Sequence, residues 1–270
     1  MAVAIVGRPR VAEVANPASR ERIDAEANEV LANDARFAQE ARQRMDRSRP
    51  AIPLEQPNDA MTLYFDALNT TQTQVLRQLG PILTKRGFYL AGGTALALQL
   101  GHRRSVDFDW FANSGLSDPL QFAEDLRRCG VPFNVSEFAD RTLHGRVSRV
   151  PVSCFEYRYG LVEEAIEIPE FGVKLASIVD IACMKLAAVA QRGARKDFVD
   201  LYWILKEVFS LQQVVEMYCK KYQVDDIAHV LYSLTYFDDA DAERSPRLSR
   251  PARWSNIKNA FQSWVKAIAK

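Results

Sequence analysis

The sequence predicts an α+β fold, with helices and strands interleaved up to residue 175 and helices alone from residue 176 onward. Three observations predict it. Short apolar and aromatic runs of strand length lie between Phe88 and Leu175, separated by glycine, acidic and other turn-forming residues. After Ala176, apolar residues recur at the spacing of a helical face. The 270 residues, 48% hydrophobic and 26% charged, supply an ordinary globular core that needs no covalent staple.

Residues 1–57 are rich in Ala, Arg, Asp, Glu and Pro and contain a single aromatic, Phe37, so they are poor core material. They predict an N-terminal extension: an alanine-rich, charge-paired helical arm over Ser19 to Asp46, then a linker marked by Pro50, Pro53 and Pro57. An α/β unit is expected over residues 58–175. Val75, Leu76, Leu79 and Leu83 give Leu68 to Leu83 a helical period. Phe88 to Ala91 reads as a short buried strand that runs into glycines, and Thr94 to Leu100 as a helix ended by Gly101. Ser105 to Phe111 is a strand whose Trp110 and Phe111 belong to the core. Asp118 caps a helix that runs to Cys129, with Pro119 in its first turn. Strands follow at Phe133 to Phe138, Thr142 to Val147 and Val150 to Tyr157, and a short pair near Ala165 to Ile168 and Gly172 to Leu175 closes the sheet.

A helical unit is expected over residues 176–270. Ile178, Ile181, Ala182, Lys185 and Val189 form one stripe, and Phe198, Leu201, Tyr202, Leu205 and Phe209 another. Helices at Leu211 to Tyr222, Ile227 to Tyr236 and Trp254 to Ile268 complete it. The polar stretch Asp238 to Ser249 reads as a mobile loop.

The chemistry is concentrated in residues 90–111. Gly92-Gly93, after a strand and at the start of a helix, lets backbone approach phosphates, and Thr94 follows in the first turn. Asp107 and Asp109, at i and i+2 between apolar neighbours, point the same way on a strand; buried carboxylates demand a cation. The pair suits one Mg²⁺, which takes a few carboxylates and completes its shell with water and substrate phosphates. Alternation places Arg103 and Ser105 on the same face, where Arg103 can pair with an aspartate in the empty site and later bind a triphosphate. In the helical unit, Lys185 occupies an apolar stripe and either snorkels to the surface or reaches into a polar cleft. Arg192, Arg195 and Lys196 form a basic turn, a local patch of positive charge that leads into the next helix. Asp197 and Asp200 share a face of the next helix.

Other chemistries are excluded or disfavoured. Thirty-five basic and 34 acidic residues nearly cancel, so no global basic field points to nucleic acid. Cys129, Cys154, Cys183 and Cys219 lack zinc-site spacing and are expected to be reduced. His102, His144 and His229 suggest no dyad or metal triad, and each is expected to be exposed or hydrogen-bonded. No Walker, Gly-x-Ser-x-Gly or Gly-x-Gly-x-x-Gly pattern occurs. No apolar run reaches the roughly 18 residues of a membrane span, and no signal peptide is evident, so no membrane association and a cytoplasmic location are expected.

Three motifs in order, Gly92-Gly93-Thr94-Ala95-Leu96-Ala97-Leu98, Arg103-x-Ser105-x-Asp107-x-Asp109, and Lys185 followed by Arg192 and Lys196-Asp197-x-x-Asp200-Leu201, resemble the AbiEii/AbiGii-type nucleotidyltransferases. These are toxin components of abortive-infection and toxin-antitoxin systems, related to the MenT toxins. The resemblance spans about Met61 to Phe209. It implies a polymerase-β-like nucleotidyltransferase, a mixed sheet with flanking helices followed by a C-terminal helical bundle. It also implies Mg²⁺-dependent transfer from an NTP, with the tRNA 3′ end or another RNA as acceptor and a cognate antitoxin as partner. On the same grounds Gly92, Gly93 and Thr94 position the triphosphate, Asp107 and Asp109 hold the metal, and Lys185 binds phosphate. Asp200 acts as the carboxylate from the helical half, with Asp197 second. A third strand carboxylate has one candidate, Glu156, which alternation equally aims at solvent. Two rival readings are an enzyme that nucleotidylates protein and a catalytically silent NTP-binding module.

Overall fold

The computed structural model describes residues 62 to 269; the expected N-terminal arm, its helix and the linker lie outside them. A 3-10 turn, Phe65–Ala67, precedes α1 (Thr70–Lys85). There the Asn69 side chain accepts from the Gln72 amide and Gln72 reciprocates, which satisfies two donors that the helix leaves unpaired. The sheet is built from β1 (Tyr89–Ala91), β2 (Phe108–Ala112), β3 (Phe133–Ala139), β4 (Thr142–Val147), β5 (Val150–Glu156), β6 (Ile166–Ile168) and β7 (Val173–Leu175). Between them lie α2 (Gly92–Leu100) and α3 (Pro119–Arg128), the latter capped by Asp118 as its sequence requires. The helical part comprises α4 (Ile178–Arg192), α5 (Arg195–Glu207), α6 (Leu211–Tyr222), α7 (Ala228–Ser233), α8 (Asp238–Ala242) and α9 (Trp254–Ala269).

The strand order is β3-β4-β5-β2-β1-β7-β6. Central β2 runs antiparallel to β1 and parallel to β5, so the sheet is mixed. One face is apolar: Leu90, Phe108, Trp110, Leu143, Val152 and Cys154 are buried on it. Helix α1 packs against β5 and β7, and α3 against β3 and β4. Each buried large side chain contributes on the order of 1.5–3 kcal/mol. Helix α4 packs on α2 as well as on α5, α6 and α7, which ties the helical part to the glycine-led helix. Among the described residues no helix is long and apolar enough to cross a membrane.

Four sequence expectations change. Strand β2 starts at Phe108, not Ser105, because its β1 neighbour ends at the Ala91–Asp109 pair and the chain turns into α2 at Gly92. Helix α7 ends at Ser233. Phe111 is half-exposed on the second sheet face rather than buried. Finally, the expected loop at Asp238 to Ser249 contains α8 and then a strap. Its partners were invisible in one dimension: Arg104 N–H donates to Arg247 O at 2.9 Å, and Ser249 and Arg250 amides donate to His102 O at 3.0 and 3.1 Å. Arg195 reaches the Ala240 and Asp241 carbonyls, and Lys258 pairs with Asp241 at 2.9 Å.

Candidate active site

Gly92 has φ +64°, the left-handed region that glycine adopts without strain, and a Cβ there would lie 2.7 Å from Asp109 Oδ2. A Cβ on Gly93 would lie 2.1 Å from Arg103 Nη2 and 3.2 Å from Ser105 Oγ. The two glycines therefore let three site residues close around the start of α2. The first amides of that helix have no acceptors within it and favour an anion.

Asp107 precedes β2 and is half-exposed. Ser105 Oγ donates to its Oδ1 at 3.1 Å, Thr94 Oγ1 donates to its backbone carbonyl, and Lys196 Nζ stands 3.9 Å from its Oδ2. Gln72 pins the approach by donating from Nε2 to the Ser105 carbonyl at 2.8 Å. Burial, and next the neighbouring Asp107 charge, push the Asp109 carboxyl up to about 6. A desolvated Asp109 carboxyl beside the half-exposed Asp107 charge is electrostatically unsatisfied, and the two form a donor set that a divalent cation fits. Among the described residues no third His, Cys, Asp or Glu completes a metal-binding group with them.

Glu156 does not supply one. It lies opposite Ala112, three positions beyond Ser153, the residue that pairs with Asp109. Its oxygens are used by Arg141 at 2.8 Å and by the Leu116 amide at 3.1 Å.

From the helical part, Asp200 enters fully buried and is met by Arg103, His102 and Lys185. Arg103 donates Nε and Nη2 to its two oxygens at 2.5 and 2.8 Å, His102 Nε2 is 2.8 Å from Oδ1, and Lys185 Nζ is 2.6 Å from Oδ2. Against the opposing effect of burial, Arg103 and Lys185 hold Asp200 well below the usual carboxylate range. Burial lowers His102, which favours its neutral form. Lys185 does not snorkel: it is buried and also donates to Asp197 Oδ1 at 2.8 Å. Asp197, buried in the first turn of α5, takes Arg192 on its other oxygen at 2.8 Å. The site residues named from sequence thus converge. His102 is hydrogen-bonded, one of the two roles its sequence allows, but its place in this cluster is not legible there, because no spacing signals a histidine whose partner is 98 residues away. Arg195 leaves the expected basic patch, since α8 and Ser245 engage its side chain. A separate cavity of about 360 Å³, lined by Arg86, Tyr89, Asn113 and Ser114 among others, sits at the opposite ends of β1 and β2 and holds none of these groups.

A mixed sheet that presents paired aspartates beside a glycine-led helix, with cations supplied by an appended helical part, is the arrangement that the resemblance to nucleotidyltransferases implies. A family model, the nucleotidyl transferase AbiEii toxin of type IV toxin-antitoxin systems, matches residues 157–267 and so includes Lys185, Asp197 and Asp200. An uncharacterised protein of Aquifex aeolicus is 33% identical over 201 residues, which span 74% of this chain and 96% of that protein. Among solved structures, MenT4, a nucleotidyltransferase toxin of Mycobacterium tuberculosis, is similar at 17% identity and TM-score 0.47, covering 73% of this chain and 82% of that one. ANT(2″)-Ia in complex with adenylyl-2″-tobramycin is similar at 14% identity and TM-score 0.41, covering 57% and 98%. The chain belongs to the AbiEii nucleotidyltransferase toxin family and is a nucleotidyltransferase.

Proposed function

We propose that this chain transfers a nucleotide from an NTP to the 3′ hydroxyl of an RNA, tRNA being the acceptor the resemblance implies, as the toxin of a toxin-antitoxin pair. The observation that carries the reading is the pair Asp107 and Asp109, set against Gly92-Gly93 and faced by cations that Asp200 holds in place. Asp107 and Asp109 would hold Mg²⁺, which when bound neutralises charge at the reacting phosphate.

The amides at the start of α2 and the Arg103 guanidinium receive the triphosphate. Lys196, half-exposed beside Asp107, meets its charge from the helical side. Lys185 and Arg103 are kept rigid by Asp200 and Asp197, so the protein needs little reorganisation as charge moves to the leaving group. The acceptor oxygen forms a bond to the α-phosphorus, the bond to pyrophosphate breaks, and the hydroxyl proton passes to solvent. The family supplies the reason to expect an antitoxin, and the NTP requirement the reason to place the reaction in the cytoplasm.

The test is incubation with each labelled NTP, Mg²⁺, total tRNA and a cell lysate, beside an Asp107→Ala control. Label in RNA that the control loses by about 100-fold or more is expected, in line with removal of a transition-state contact. Label in protein would transfer the reading to protein nucleotidylation, and label in neither would sink it.

A further inference from the structure

On β2, β4 and β5 fully buried side chains alternate with half-exposed or exposed ones, so the second face of the sheet is partly open. Register arranges that face in rows. Asp109, Ser153 and His144 lie in one, and Phe111, Phe155 and Thr142 in the next. The second row is aromatic. Phe111 stacks on Phe155 with centroids 5.0 Å apart and planes at 25°. Tyr157 meets the edge of Phe111 at 5.6 Å, and His144 meets Phe155 at 5.4 Å. An open sheet face is ordinarily polar. Half-exposed stacked rings one row from a metal-binding carboxylate therefore point to a ligand with a π face.

Their position says which ligand. The phosphate-binding glycines continue from β1, on one side of β2; Phe155 and His144 lie on β5 and β4, on the other side. In-line displacement places donor and acceptor on opposite sides of the phosphorus. His144 Nδ1 is 2.9 Å from Ser153 Oγ, two strands or roughly 10 Å from Asp109. Arg146 follows His144 on the same face of β4 and is exposed, as is Arg149 in the adjoining turn.

We propose that the Phe111–Phe155 row, with His144 and Arg146, is the acceptor platform, which stacks the unpaired 3′-terminal base of an RNA and directs its hydroxyl toward Asp109. This rests on the RNA-acceptor reading above. The rings supply sequence-tolerant stacking, and Arg146 meets the backbone phosphate upstream of the terminal nucleotide. A base-paired end suits the platform less well, because pairing fixes its terminal base to the complementary strand and prevents it from turning onto the rings by itself.

The test measures steady-state transfer to a short single-stranded RNA with a free 3′ hydroxyl, using Phe155→Leu and Arg146→Gln beside the unaltered chain. Both variants are expected to raise the KM for RNA by about 5-fold or more and to leave the KM for NTP unchanged. The same RNA annealed to a blunt end should be a poorer acceptor than the single strand. Phe138→Leu, on an exposed ring of the opposite strand parity, should change nothing. Arg146→Gln alters an exposed side chain and reads out the platform even if Phe155→Leu fails to fold. Unchanged KM for RNA in a folded variant overturns the platform while the RNA-acceptor reading stands; absence of RNA labelling by the unaltered chain overturns both.

Discussion

Asp109 shows how a single residue is placed against its own preference. Its folded carboxyl is raised to about 6 by burial and by Asp107. A raised carboxyl favours the folded state at low pH, and that stability is lost as pH rises from the ordinary carboxylate value through about 6. In EDTA, Asp109→Asn should therefore have a higher Tm than the unaltered chain near neutral pH, with the gap closing below about pH 4. Added Mg²⁺ should raise the Tm of the unaltered chain and not that of the variant, because binding to the folded state stabilises by mass action. Thermal melts across pH, with and without Mg²⁺, check both; equal Tm values in EDTA at neutral pH would refute the first. Activity should be lost in the variant regardless.

At the scale of elements, the strap after α8 fastens the segment that carries His102, Arg103 and Arg104. Its amides and carbonyls bond directly to that segment's backbone, and Arg250 anchors its end on Glu207 at 2.7 Å while lying over the Trp203 ring at 4.1 Å. Arg195 anchors the other end on α8. A combined Arg195→Ala and Arg250→Ala change removes both anchors and leaves every site residue in place. Amide exchange at Arg104, Ser249 and Arg250 should then accelerate by 10-fold or more, about 1.4 kcal/mol of local opening, and kcat should fall with it. Unchanged exchange would show that backbone pairing and the contacts of Trp254 and Lys258 with Asp241 hold the strap without these two anchors. The loop expectation failed here for a plain reason. A polar stretch is indistinguishable from solvent-facing chain until Arg195, Trp254 and Lys258 are brought to Asp241.

Across the whole molecule, Asp200 is the joint between the sheet part and the helical part. It binds Arg103 and His102 from one and Lys185 from the other. Its carboxyl is held well below the ordinary value despite burial. That stability is present above the ordinary carboxylate range and is lost as pH falls through the folded value. Asp200→Asn leaves buried cations under-compensated and should remove about 3 to 5 kcal/mol near neutral pH. Urea unfolding across pH should show the variant's stability falling less steeply in acid than that of the unaltered chain. Parallel curves would mean that other carboxylates govern acid unfolding.

The sequence by itself determined the order and type of nearly every element, the glycine pair at the start of α2, and the spacing that sets Asp107 two residues before Asp109. Those are properties of short-range period and backbone freedom, which neighbouring residues encode. Tertiary structure decided what each group faces. It gave Asp200 its guanidinium partner 97 residues away, turned Glu156 to Arg141, seated Ser153 beside Asp109, and left Phe111 and Phe155 half-open to solvent. Alternation along a strand separates two faces, but only packing decides which face is covered, and pairing between distant charges depends on folded proximity that no local spacing records.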